Sequence, residues 1–314
     1  MARIDDVSPE EVVPVVSVER GLTDADLPGL FEAADAASLE GQRRYVTAVR
    51  LSLVLAVVAA ATGVVSWTVG TRGIDLAAFG TALALVGISA TEIYVSSIRP
   101  SDQWYDGRAF AESAKSLAWR YSVGGIPFAK QDDEDSVRRR FGHQMSRLLE
   151  EAPQTSIKPS QRPVVTERMA ALRASDLATR KAAYLEYRII DQLNWYARKA
   201  DHNVKLAGRW RIALLVIEVF GIGAAIVKAF GYLSIDLAGV VAAVIAAGTA
   251  WAGLRQFSTL ARAYTFAANE LAIARERLEL DGDETSWAAE VADSEEAVSR
   301  EHTMWRASRS RTSS

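Results

Sequence analysis

The chain contains no cysteine. That excludes a disulfide framework, a Cys-ligated zinc site, a thiol nucleophile and thiolate redox chemistry. Histidine is nearly as scarce. His143, His202 and His302 stand alone, without the H-E-x-x-H or paired spacing of a metal or acid–base site. No G-x-x-x-x-G-K-[ST] loop is present to cradle a phosphate, and no nucleophile elbow to present a serine. "GIGAAIV" at Gly221 carries two of the three glycines of a dinucleotide fingerprint. It lies inside an apolar run with no preceding strand, and reads as helix packing. Enzymatic activity therefore has no support, and no cofactor or metal is expected. A basic excess is missing too: the formal charge of −3 leaves no domain-wide positive field, which argues against direct nucleic-acid binding. The N-terminal stretch is acidic, is broken by Pro9 and Pro14, and lacks the basic and apolar regions of a secretory signal. It is expected to form a flexible cytoplasmic leader over residues 1–41.

What the chain does have is apolar residue, 49% of the total, gathered into four blocks. Leu51–Val69 and Leu237–Leu254 carry no charge; Leu76–Ile98 is interrupted by Glu92 alone, and Ile212–Leu233 by Glu218 and Lys228. Roughly 20 helical residues cross the ~30 Å hydrocarbon layer of a bilayer. Any one block could be a buried soluble helix. Two adjacent pairs at span length, each joined by a short turn, point instead to an all-α membrane protein with four spans in two tandem hairpins.

Both turns carry the same words. Ile-Asp-Leu-Ala occupies Ile74–Ala77 and again Ile235–Ala238, each time at the mouth of a returning apolar helix. Asp75 and Asp236 are placed to accept from the free N–H groups of the first helical turn and to complement the dipole there. The equivalent placement favours an internal duplication over a chance match. Basic residues set the orientation. Arg43, Arg44, Arg50, Arg99 and Arg108 flank the open side of the first hairpin, and Lys205, Arg209, Arg211, Arg255 and Arg262 that of the second. The tips offer only Arg72 and Lys228. Positive charge marks the cytoplasmic side, so both termini and the central segment are expected in the cytoplasm. Trp67 near one tip, with Trp104 and Trp210 at the other level, suits interfacial anchoring.

Outside the blocks the period is helical. Phe257, Leu260, Tyr264, Ala267, Leu271, Ala274 and Leu278 form a heptad seam, so the last span is expected to run on unbroken to Asp281-Gly282. Ala182, Leu185, Ile189, Leu193, Tyr196, Ala200, Val204 and Ala207 form a second stripe, the natural partner of the first. A third helix from Ser286 should bury Trp287, Val291, Val298 and Trp305. Between the halves, residues 131–165 read as a charged linker around one short helix, Asp135 to Glu150. The divisions are thus 1–41, 42–130, 131–165 and 166–314.

The two intramembrane carboxylates are the sharpest local feature. Glu92 lies seven residues before Arg99 and Glu218 seven after Arg211, two helical turns or about 10.5 Å, so both should share a shallow depth and a helical face with their arginine. A polar ring across an oligomer is one reading. Helix–helix hydrogen bonding, or a protonated side chain reaching the headgroups, is the other. Small residues at Gly80/Ala84, Gly239/Ala243 and Gly248/Ala252 allow close helix approach.

"WYDGRAFAESAKSLAWRYSVGGIPF" resembles the segment after a membrane hairpin in the SLATT family, the SMODS- and SLOG-associated two-TM effectors of bacteria. Trp104, Tyr105, Arg108, Ala109, Glu112, Ser113, Lys115, Trp119, Arg120, Tyr121, Pro127 and Phe128 carry the likeness. "YLEYRIIDQLNWYARKADHN" and "EVADSEEAVSREHTMW" are similar to a second subtype, through Tyr184, Arg188, Asp191, Gln192, Trp195, Tyr196, Lys199, Ala200, Glu295, Glu301, His302 and Trp305. The resemblance implies a membrane effector that forms pores or perturbs the membrane once a nucleotide-linked sensor detects phage. No sensor domain is fused to this chain, so a separate sensor protein or nucleotide signal would be a partner, beside the lipid bilayer and further copies of the chain. The residues themselves add that Arg108, Glu112 and Lys115 share one helical face, where opposite charges pair, and that Trp119 and Tyr121 supply apolar bulk. A non-conducting scaffold that anchors a sensor or nuclease is the alternative function.

Overall fold

In the computed structural model the described residues are 21–71, 73–150, 160–233, 235–280 and 282–310, with side chains described to residue 298. Ten α-helices account for nearly all of it: α1 (Gly29–Gly63), α2 (Leu76–Ile98), α3 (Pro100–Val123), α4 (Glu134–Glu150), α5 (Glu167–Ala174), α6 (Leu177–Tyr184), α7 (Asp191–Ala229), α8 (Leu237–Arg255), α9 (Phe257–Leu280) and α10 (Glu284–Ser310). A wide π-type turn, Leu185–Ile190, joins α6 to α7 without a break. Four helical stretches are long and apolar enough to cross a membrane, and they form two hairpins, α1 with α2 and α7 with α8. This is a multi-pass membrane architecture. The spans bury almost nothing within the chain: Val54, Phe79, Leu83, Val86, Ile212, Val216 and Phe220 all point outward.

The duplication extends beyond the tips. Each returning span ends in a non-glycine residue with left-handed backbone, Arg99 (φ 47°) after α2 and Gln256 (φ 49°) after α8. Each break is followed by a helix of 24 residues, α3 and α9. A left-handed L-residue costs roughly 1–2 kcal/mol, so each bend must be held by packing. α3 folds back along α1, and α9 along α7. At the α1–α3 crossing the backbones nearly touch: a Cβ added to Gly41 would lie 2.5 Å from the Trp104 nitrogen.

Several expectations are corrected. The last span does not run unbroken into the seam; it bends at Gln256, which carries no proline or glycine to announce it. The seam itself stands, with Phe257, Ala267, Leu271, Ala274 and Leu278 buried, against α7. The partner stripe holds at Ile189, Tyr196 and Ala200 and slips by one residue toward each end. Ala183 and Asn203 are buried where Ala182 and Val204 were expected. The first span stops at Gly63, and the residues to Val69 belong to the tip. Residues 21–41 are no flexible leader. Thr23 and Asp26 form a reciprocal capping box, and Leu22, Leu27, Phe31 and Ala34 enter the core. Residues 1–20, Arg72 and Asp281 lie outside the described residues, and the side chain of Trp305 outside those described.

Beyond the hairpins' open ends, α3, α4, α5, α6, α9 and α10 build one helical domain. Trp119, Tyr121, Phe128, Phe141, Met169, Leu172, Tyr184 and Trp287 form its core. The helix expected over 135–150 is α4, with Val137, Phe141 and Met145 inward.

A cysteine-free chain makes topology directly measurable. Single replacements Trp67→Cys and Tyr232→Cys, at tip positions 66% and 82% exposed, should label together with a membrane-impermeant maleimide from one face of the bilayer. Arg275→Cys on α9 should label from the other. Labelling of the two tips from opposite faces would contradict the paired hairpins.

Candidate functional site

The tips are closed by their carboxylates. Asp75 caps α2, its Oδ1 accepting from the Ala77 nitrogen at 2.9 Å and the Ala78 nitrogen at 3.3 Å. It also accepts from the Trp67 nitrogen at 3.1 Å and the Ser66 hydroxyl at 2.8 Å, which pins a small two-stranded ribbon, Thr68–Val69 with Ile74–Asp75. The Trp67 N–H and the Ser66 hydroxyl hold its carboxyl below the ordinary range. Asp236 caps α8 through the Ala238 nitrogen at 3.2 Å. Its second partner differs: Lys228, from the last turn of α7, lies 2.7 Å away and lowers the carboxyl's pKa.

Within the spans, Glu92 and Glu218 are both exposed on the outer surface of the hairpins. Glu218 shares α7 with Arg211, as expected. Arg99 does not share a face with Glu92, because it leaves the helix in the left-handed turn and lies 3.9 Å from Asp102. Small residues pack as expected at Gly80, opposite Thr62, and at Gly248, opposite Leu214; Gly239 faces open space. A hydroxyl pair, Thr62 with Thr81 at 2.8 Å, ties α1 to α2.

The membrane-proximal motif lies along α3. Trp104 stacks on Tyr105 at 4.7 Å, and its carbonyl accepts from the Ser38 hydroxyl of α1 at 2.9 Å. Arg108 and Glu112 pair at 2.8 Å, as their spacing predicts; Lys115 turns instead to Asp24 at 2.8 Å. Trp119 is buried against Tyr184, and Arg120 donates to the Ala292 carbonyl of α10 at 2.9 Å.

That motif is one wall of a buried ionic junction. Arg188, on the π-turn, donates to Glu295 of α10 through two nitrogens, Nε to Oε1 at 2.9 Å and Nη2 to Oε2 at 2.7 Å. The Ser116 hydroxyl of α3 donates to the same carboxylate at 2.7 Å, and the Tyr184 hydroxyl at 3.0 Å. Exposure is 1% for the Arg188 side chain and 0% for that of Glu295. Burial alone would raise the Glu295 carboxyl, but the Arg188 charge overrides it and holds the pKa below the usual range. For Arg188, burial would lower the pKa and the Glu295 charge raises it instead. Tyr184 is pushed well up, by burial first and the Glu295 charge second.

A family model described as SMODS and SLOG-associating 2TM effector domain 3 matches residues 28–181, and one described as SMODS and SLOG-associating 2TM effector domain 1 matches residues 184–305. The chain belongs to the SLATT family. It holds two such domains in tandem. No curated protein and no solved structure matches it. The two matches meet just before Arg188, so the junction joins one SLATT domain to the other: Ser116 comes from the first, and Tyr184, Arg188 and Glu295 from the second. Among the described residues, no group of three or more His, Asp or Glu is placed to hold a metal.

Two further arginines of this tandem SLATT chain have no counterpart in the sequence reading. A helix C-terminus leaves its last carbonyls without intrahelical partners. At the end of α3, Arg173 donates to the Tyr121 carbonyl at 2.9 Å, Arg180 to the Val123 carbonyl at 2.8 Å and the Trp287 indole to Val123 at 2.8 Å. Arg173 also pairs with Glu134 at 2.7 Å, and Arg180 with Glu284. The available signal was spacing: Arg173 and Arg180 stand seven apart, and Arg180, Tyr184 and Arg188 four apart.

Replacing Glu295 by Gln strands the buried Arg188 charge and should cost about 3–5 kcal/mol of unfolding free energy. The double variant Arg188→Met/Glu295→Leu should lose less than either single change, read by denaturant unfolding in detergent. A fully additive double loss would refute the junction as a coupled pair. With a lowered carboxyl pKa, the pair's contribution is complete above the unfolded value near 4.5 and lost as pH falls through the folded one. The stability gap between the native chain and Glu295→Gln should stay flat from neutral pH down to about pH 5 and close in stronger acid.

Proposed function

We propose that this SLATT chain is a membrane effector of a bacterial anti-phage defence system. It assembles through its hairpins in the inner membrane, with both termini and the helical domain in the cytoplasm. When a separate sensor protein or a nucleotide signal engages the helical domain, the assembly permeabilises the membrane. The observation that carries this reading is the placement of Glu92 and Glu218, one carboxylate in each hairpin, on surfaces the single chain leaves open. Charge at that depth faces protein or water rather than lipid. Four spans that turn their apolar side chains outward enclose no polar path alone, so the path lies between copies. The basic residues around the open ends support the orientation. The family's printed description, a 2TM effector, supports the role. The mechanism is physical rather than enzymatic.

A non-conducting scaffold is the second reading, with the heptad seam of α9 as the surface on which a sensor or nuclease would dock. That seam is occupied by α7, which favours the effector.

Planar-bilayer recording of the purified protein decides between them. The effector should give channels, and Glu92→Gln or Glu218→Gln should reduce cation selectivity while the assembly still forms. A silent bilayer in the presence of candidate partners and nucleotides would favour the scaffold. Channels with unchanged selectivity in both variants would remove the carboxylates from the path.

A further inference from the structure

Between the two SLATT domains, where all four spans leave the hydrocarbon layer, lies a cavity of about 380 Å³. Its walls come from α1, α3, α7, the end of α8 and the start of α9, and the left-handed Gln256 lines it. Four of its lining side chains are basic or titratable to cations: Arg108, Lys199, His202 and Arg255. No Asp or Glu lines it among the described residues. Arg108 is engaged by Glu112. Lys199 lies over the Trp195 ring at 5.6 Å, and Arg255 over Trp251 and Phe257 at 5.9 Å, so aromatic faces rather than carboxylates hold both cations. Trp104, Trp195 and Tyr264 line the same space, and Val46, Leu206 and Leu254 close its membrane side.

We infer that this cavity is a binding site for the phosphate headgroup of an anionic phospholipid. The arrangement is amphipathic in the sense a lipid requires: apolar side chains toward the spans, cations and aromatic rings at headgroup level. Lys199 and Arg255 pair with no carboxylate among the described residues, and two such cations at headgroup level attract a phosphate. Val46, Leu206 and Leu254 would meet the start of the acyl chains. A free phosphate ester shares the headgroup chemistry but gains nothing from the apolar side. Because the lining belongs to both domains, the lipid would bridge them at the membrane surface. The inference rests on the membrane architecture and not on conduction.

The test is native mass spectrometry of the full chain in detergent, titrated with phosphatidylglycerol and, separately, phosphatidylcholine. One saturable phosphatidylglycerol per chain is expected, bound more tightly than phosphatidylcholine. Each Lys or Arg near a membrane surface contributes about fivefold, so Lys199→Gln/Arg255→Gln should weaken the site about 25-fold. Both residues are exposed, so the variant should keep its helical circular dichroism. Arg43→Gln, 77% exposed and outside the cavity, should bind as the native chain does. Unsaturable uptake, or an equal loss in Arg43→Gln, would mean a diffuse basic surface and overturn the site. Displacement of the lipid by equimolar glycerol phosphate or adenosine monophosphate would assign the cavity to soluble phosphates and overturn the lipid.

Discussion

A carboxylate carried into a protein interior costs several kcal/mol unless its countercharge arrives with it. Glu295 meets that requirement only when three elements come together, since its partners sit on α3, on the end of α6 and on the π-turn. Loss of the π-turn would strand the Glu295 charge, and loss of α3 or α6 would remove a hydroxyl donor from it. The π-turn is part of the same bargain. It carries Arg188 and Ile189, both buried.

From this junction the rest of the helical domain follows. α10 is held over α3 by Glu295 and by Trp287, whose indole also closes the end of α3. Arg173 and Arg180 bring α5 and α6 to the same helix end. The first SLATT domain thereby supplies carbonyls, a hydroxyl and the charges of Arg173 and Arg180, and the second supplies Arg188, Glu284 and Glu295. α7 starts at the junction and runs without interruption through the third span to Ala229. α1 likewise runs unbroken from the core at Phe31 through the first span to Gly63, and at its crossing with α3 Gly41 lets backbones meet.

The sequence was legible where physics is local. Apolar run length marked the spans, Ile-Asp-Leu-Ala marked both tips, and the three–four spacing marked the buried face of α9. Each depends on residues a few positions apart. The bend at Gln256 was invisible because a left-handed glutamine is imposed by the packing of α9 on α7, not by its own preference. Pro100, by contrast, announces its break. The start of the helical domain was misread as leader because the acidity of Asp24 and Asp26 hid an ion pair to Lys115 and a capping box with Thr23. Arg188 and Glu295 were visible as family residues, yet their pairing spans more than a hundred positions, and only an acid on the stripe of Val291 and Val298 pointed to it.

The hairpins answer a different constraint. In hydrocarbon the backbone must satisfy itself, and helices do so, which explains why the spans need so few contacts with one another. What the single chain does not resolve is charge. Lys228 is neutralised at its tip by Asp236, and Arg50 lies over Trp251 at 5.3 Å at the other end. Glu92 and Glu218 have no such arrangement, and an ionised side chain facing lipid costs a few kcal/mol each. A shallow glutamate can lower that cost by reaching for the headgroups or binding a proton. It can also be met by polar groups or water enclosed by neighbouring chains, and only that last solution makes use of a charge in both halves of a duplicated protein. Each hairpin carries one such acid, on the returning span α2 in the first and on the outgoing span α7 in the second, so the two lie on non-equivalent helices of the repeat.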